Sequence, residues 1–197
     1  MDTKPRVSGK LPEPPFSRED DADMDAGAGT IFRISAKLAK KIHQDYEQVL
    51  PPSPNPFLDW SADLFTANRA QYILISNSAS LYSVAIYGKG VTRETHFFGD
   101  TIAAMRDVMR ADGFLPIFES AIAPSFYPAA LAKRENRSVI GSMNDFIFQA
   151  RLRLARQDIS PYGISSFLNS TLMSYIDYRP PREEFQNMVR EYYLARR

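Results

Sequence analysis

Two short apolar runs, separated by four turn-forming residues, constrain the fold of this chain more than any other feature. Arg69–Ser76 and Leu81–Tyr87 are rich in Tyr, Ile, Leu and Val, which suit a pleated, half-buried surface. Asn77, Ser78, Ala79 and Ser80 lie between them. The pattern predicts an antiparallel hairpin. A lone hairpin is marginal in water, so the rest of the chain must cover one of its faces.

Helices are the expected cover. Ser35 is placed to cap a helix running to Leu50, with Leu38, Ile42, Tyr46 and Val49 on one stripe. Pro51, Pro52, Pro54 and Pro56 then end it. Ile31–Ile34 before it reads as a short strand. Trp60, Leu64 and Phe65 suit a helical turn within the ambiguous stretch 60–68, and Val91–Phe97 reads as a third strand. Asp100 is expected to cap a helix over Thr101–Asp112, with Gly113 just past its end. Residues 114–136 stay open between strand and helix: Ala129–Ala132 favours helix, but Pro116, Pro124 and Pro128 interrupt it. Ser138–Gln157 is the strongest helix, with Val139, Ile140, Met143, Ile147, Ala150 and Leu154 on its core face. Ser160-Pro161 opens a shorter helix holding Phe167 and Leu168. Pro180-Pro181 precedes a last helix to about Leu194. The order predicts an α+β fold, a small antiparallel sheet packed by about five helices.

Composition and charge narrow the function. Hydrophobic residues make up 44% of the chain, a globular fraction. The absence of cysteine removes disulfide scaffolds, thiol nucleophiles and Cys-ligated metals together. The two histidines, His43 and His96, are isolated, so neither a metal nor another cofactor is expected. No apolar run approaches the roughly 20 residues of a membrane span, and residues 1–5 have no secretory character. The expected location is the cytoplasm. Residues 1–30 hold four basic and seven acidic groups with four prolines, and are expected to be a disordered acidic tail. Residues 31–197, at +4, are expected to form one domain.

The first helix and the long one carry the candidate chemistry. Gly141, Asn144, Phe148 and Arg151 share one face by steps of three, four and three. A mid-helix glycine costs about 0.5–1 kcal/mol relative to alanine, so it needs a reason. One reason is the close approach of another backbone segment, with Asn144 bonded to a buried main-chain group. The other is an anion pocket made by Arg137, Ser138, Asn144 and the helix N-terminus. Lys37, Lys40 and Lys41 on the first helix would join Lys133, Arg134, Arg137, Arg151, Arg153 and Arg156 in or near the long one, followed by Tyr162, Tyr175, Tyr178, Tyr192 and Tyr193, in a phosphate-binding patch if the two helices met. The candidate binding residues are Arg137, Ser138, Asn144, Arg151 and Lys40. No nucleophile elbow, P-loop or dinucleotide loop is present. The expected function is a binding domain for a protein partner or nucleic acid. The alternative is a small metal-free hydrolase, such as an RNase-like toxin, with its site near Arg137–Asn144.

Two stretches resemble an uncharacterised bacterial family of small single-domain proteins, known as a domain of unknown function. One runs from Trp60-Ser61-Ala62-Asp63-Leu64 through Arg69 to Asn77, Leu81 and Val84. The other is Asn136-Arg137-Ser138-Val139-Ile140-Gly141-Ser142-Met143-Asn144-Asp145, followed by Leu168-Asn169-Ser170-Thr171-Leu172-Met173. Phe32–Leu38 is similar to the family's opening. The resemblance spans about residues 31–186 and implies a fold outline without an activity. It also implies a strand over Ala130–Arg134, against the local helix propensity.

Overall fold

The computed structural model describes residues 29–46 and 48–196, and the expectation of a disordered tail over residues 1–28 lies outside them. Thr30, counted with the tail on sequence, is buried, and both its N–H and its hydroxyl donate to the Ser125 carbonyl at 3.1 Å.

The fold is α+β. Its strands are β1 (Ile31–Ile34), β2 (Asp59–Ala67), β3 (Ala70–Asn77), β4 (Ser83–Tyr87) and β5 (Ala130–Lys133), in the sheet order β4-β3-β2-β1-β5. The expected hairpin is β3–β4, antiparallel from Tyr72↔Tyr87 to Ser76↔Ser83. β2 extends it antiparallel through a two-residue turn at Asn68-Arg69, both at positive φ as a type I′ turn requires. β1 then adds parallel to β2, and β5 parallel to β1. β5 thus places a strand where the family resemblance implied one.

The helices are α1 (Ala36–Ile42), α2 (Glu94–Ala111), α3 (Leu115–Ile117), α4 (Arg137–Arg156), α5 (Pro161–Asn169) and α6 (Pro181–Leu194), with a wide turn over Phe118–Ile122 after α3. Among the described residues no helix is long and apolar enough to cross a membrane.

Three local expectations are corrected. Residues 60–67 are the central strand, not a helical turn. Trp60, Ala62 and Leu64 face one core while Asp59, Ser61 and Asp63 are buried on the other side. Val91–Phe97 is no third strand: α2 starts at Glu94, Phe97, Thr101, Met105 and Val108 keep a helical step into the core, and Asp100 is an exposed interior residue rather than a cap. α1 is capped by Ser35 as expected, but it ends at His43 in a left-handed cap instead of running to Leu50. The carbonyls of Gln48, Leu50 and Pro51 are used elsewhere, accepting from Lys133 N–H and the Arg33 guanidinium. A helix there would have to surrender those bonds.

One sheet face carries Phe32, Ile34, Trp60, Ile73, Ile75 and Val84 beneath α1 and α2, with Phe97, Met105 and Phe126. The other carries Phe65, Tyr72, Leu74 and Ala85 beneath α4 and α5, with Met143, Phe146 and Ile164. The faces follow from the period of two along each strand. α6 closes the end of the first core. Phe185 packs on Tyr82, Phe57 and Phe114 at ring distances of 4.7–5.5 Å. The Tyr82 hydroxyl donates to Asp112 at 2.7 Å, and Asp112 in turn pairs with Arg182 at the start of α6. Burial raises the Tyr82 pKa well above the ordinary tyrosine range, against a smaller lowering by Arg182.

β4 is an edge strand, and α5 closes its edge with side chains. Asn169 accepts from Ser83 N–H at 2.7 Å and donates to the Ser83 carbonyl at 3.0 Å. The Ser165 hydroxyl accepts from Ala85 N–H at 2.9 Å. Both side chains are fully buried. They stand where a sixth strand would otherwise supply its backbone.

Candidate functional site

The sheet twist and the parallel pairing of β1 with β2 and β5 leave a cleft of about 520 Å³ beside the N-terminus of α4. The loop residues Leu50, Pro52 and Pro56, the β3–β4 turn, Tyr175 and Asn136 form its walls, and Arg33 with Asp59 forms its floor.

That floor is a closed network. Arg33 Nε and Nη2 donate to the two Asp59 carboxylate oxygens at 2.9 and 2.8 Å. Nη1 and the second N–H of Nη2 reach the Leu50 and Pro51 carbonyls, each at 2.9 Å. Asp59 also accepts from Ser53 N–H at 3.1 Å and the Ser78 hydroxyl at 2.8 Å. A buried ion pair is tolerable only with such full satisfaction. The network ties β1, β2, the loop before β2 and the β3–β4 turn together. It leaves Asp59 no free oxygen with which to take a proton from a substrate. A second pair, Arg134–Asp63 at 3.1 Å, bridges the end of β5 to β2 on the same face, and Asp63 Oδ1 has no partner among the described residues.

α4 starts at this cleft. Asn136 caps it, its side-chain oxygen accepting from Ser138 N–H at 3.0 Å and Val139 N–H at 3.2 Å. Two of the N–H groups left over at the helix start, those of Ser138 and Val139, are therefore already bonded. Arg137 and Ser138 follow at the exposed start of the helix, and Asn144 lies two turns on, also exposed. Arg151 donates through Nε to the Thr66 carbonyl at 3.1 Å and is otherwise open to solvent.

Gly141, Asn144, Phe148 and Arg151 do share one face, and it is the outer one. The close backbone approach expected at Gly141 is absent among the described residues: a Cβ there would meet none of their atoms within 4 Å. Asn144 makes no hydrogen bond among the described residues, so the buried main-chain partner expected for it is absent as well. Gly141→Ala is expected to stabilise the domain by about 0.5–1 kcal/mol, the helix-propensity difference with no steric cost. Asn144→Ala is expected to stay within about 0.5 kcal/mol of neutral. Urea denaturation of both variants checks this; a destabilised Gly141→Ala would restore a packing role for the glycine.

Lys40 lies on α1, on the opposite side of the sheet from α4. The lysines of α1 and the arginines of α4 therefore do not make one patch. His43 and His96 sit on the α1 and α2 side too, both exposed. Among the described residues no group of three or more His, Cys, Asp or Glu is placed to hold a metal ion.

Sequence reasoning missed Arg33, Asp59 and Ser78 as members of a site. A signal existed for the first: Arg33 is a lone charge inside the apolar strand Ile31–Ile34. Its partner lies 26 residues on, and only the parallel pairing brings the two together.

The fold defines one class, a single mixed sheet with α1 and α2 on one face and α4 and α5 on the other. The chain belongs to the family described as Domain of unknown function (DUF6933), whose model matches residues 31–184. No curated protein and no solved structure matches it.

Proposed function

We propose that this protein is a non-catalytic cytoplasmic binding domain whose ligand is another protein, held on the outer face of α4. One observation carries the reading. Gly141 lies exposed in the helix with open space above it, and the same face continues into Phe148, 62% exposed, and Leu152, 43% exposed. A glycine that its own fold does not require is accounted for by the close approach of a partner's backbone. Exposed Phe and Leu beside it supply an apolar anchor, and Arg137, Arg151 and Arg156 supply a basic border. α4 carries four arginines and one acidic residue, Asp145. The complementary occupant is an acidic amphipathic helix lying along it.

The hydrolase reading has less support. Its histidines stand across the sheet from Arg137–Asn144, and of the two acids that line the cleft Asp59 is fully bonded, which leaves Glu135 alone. Separation of lysines from arginines likewise weakens the nucleic-acid reading.

Affinity capture with the purified domain, compared with its Phe148→Asp variant and a distant Tyr178→Ala control, tests the proposal. The expected result is a protein bound in stoichiometric amount by wild type and control, then lost with Phe148→Asp. An RNA mobility shift or RNA cleavage abolished by Arg137→Ala would overturn it in favour of the nucleic-acid or hydrolase reading.

A further inference from the structure

A second concave site lies away from α4, where α2 and the start of α5 flank the end of β4. It is a groove of about 300 Å³. Ala85, Ile86, Ala104, Val108 and Pro161 give it an apolar floor. Tyr162 lines it while half exposed at 49%, and Tyr87, 53% exposed, lines it with its ring packed on Tyr72 at 5.5 Å. Asp100 and Asp107, two turns apart on α2, place carboxylates on its rim. Asp107 spends little of its charge, its Arg110 contact being long at 3.6 Å and open to solvent. Asp100 makes no ion pair among the described residues. Lys89 is the one cation in the lining.

We propose that this groove binds an organic cation, a methylated ammonium group. The chemistry is specific. Aromatic faces attract cations through the ring quadrupole, most effectively when the cation is partly desolvated. An apolar floor suits a cation that gives up its water readily, which excludes ammonium, potassium and sodium as preferred occupants. Carboxylates on the rim add long-range attraction without demanding the hydrogen bonds that a methylated nitrogen cannot donate. The volume is at the low end of small-ligand sites and fits a headgroup with a short chain. Lys89 opposes this field, so the site contains its own negative control.

Tetramethylammonium is the first probe. ¹H–¹⁵N spectra of the full chain are followed during titration, with potassium chloride at equal ionic strength as the blank. Saturable shifts at Ile86, Ala104 and Val108 are expected. Tyr162→Ala and Asp100→Asn are expected to weaken binding about tenfold and about threefold, the size of a partly exposed cation–π contact and of a surface charge pair. Lys89→Gln is expected to tighten it about threefold, in the opposite sense. All three positions are exposed, and the buried Trp60 reports by fluorescence that the fold persists. Choline and a trimethyllysine peptide then separate the sources: equal affinities mark a free cation, and a peptide bound tenfold more tightly marks a protein-borne one. Shifts that match potassium chloride, or binding that Tyr162→Ala and Lys89→Gln both leave unchanged, would overturn the proposal.

Discussion

Replacing Arg33 by alanine is expected to cost about 3–5 kcal/mol of folding stability, the size seen when one partner leaves a buried ion pair. The variant strands Asp59 as a buried charge and frees the Leu50 and Pro51 carbonyls from their donors. A domain of this kind holds about 5–15 kcal/mol in all, so the variant stands near the limit of folding. Arg33→Met with Asp59→Leu is expected to cost clearly less than the sum of the two single changes, because no charge is then left uncompensated. Denaturation of the four species measures the coupling directly. A loss below about 1 kcal/mol for Arg33→Ala would mean that water reaches the pair and that the cleft floor is not the closed network described.

Asn169→Ala is the second large effect. It leaves the N–H and the carbonyl of Ser83 unpaired, two buried groups at about 1–3 kcal/mol each. The expected loss is therefore about 2–6 kcal/mol, and Ser165→Ala, which frees the Ala85 N–H and removes the hydroxyl bond to the Pro161 carbonyl, is expected to lose about half of that. Amide hydrogen exchange gives a sharper readout than the midpoint. The Ser83 and Ala85 amides should exchange much faster in Asn169→Ala, while Ile73 and Ile75 on β3 keep their protection. Equal acceleration across the sheet would show that α5 holds the whole fold rather than one edge. Concentration-dependent association is also expected of the variant, since its β4 edge is uncovered.

The elements that periodicity alone specifies were legible in the sequence. β3 and β4, α4 with its core face, α5 after Ser160-Pro161 and α6 after Pro180-Pro181 fall close to where spacing places them. β2 was not, because its inward residues Asp59, Ser61 and Asp63 look like solvent-facing ones until Arg33 and Arg134 are seen to neutralise two of them. The early end of α1 was hidden for a similar reason. Tyr46 and Val49 continue the helical stripe, but the backbone there is claimed by Lys133 and Arg33. At the candidate site, helical geometry correctly grouped Gly141, Asn144, Phe148 and Arg151. It gave no means of knowing that nothing among the described residues covers them. The cleft was illegible because the bonds that build its floor, Arg33 and Ser78 to Asp59, join residues 26 and 19 positions apart.

The place of β1 in the sheet also sets a schedule for the nascent chain. β2, β3 and β4 are contiguous, so they can pair once residue 87 has left the ribosome. β1 lies between β2 and β5, with Ile31 beside Ala130, and its outer edge stays unmatched until residue 133 emerges. At translation rates of about 5–20 residues per second, that interval lasts roughly 2–9 s. During it, an open edge bearing Phe32 and Ile34 is presented to every neighbouring polypeptide. Ribosome stalling before β5 would prolong this exposure of the β1 edge.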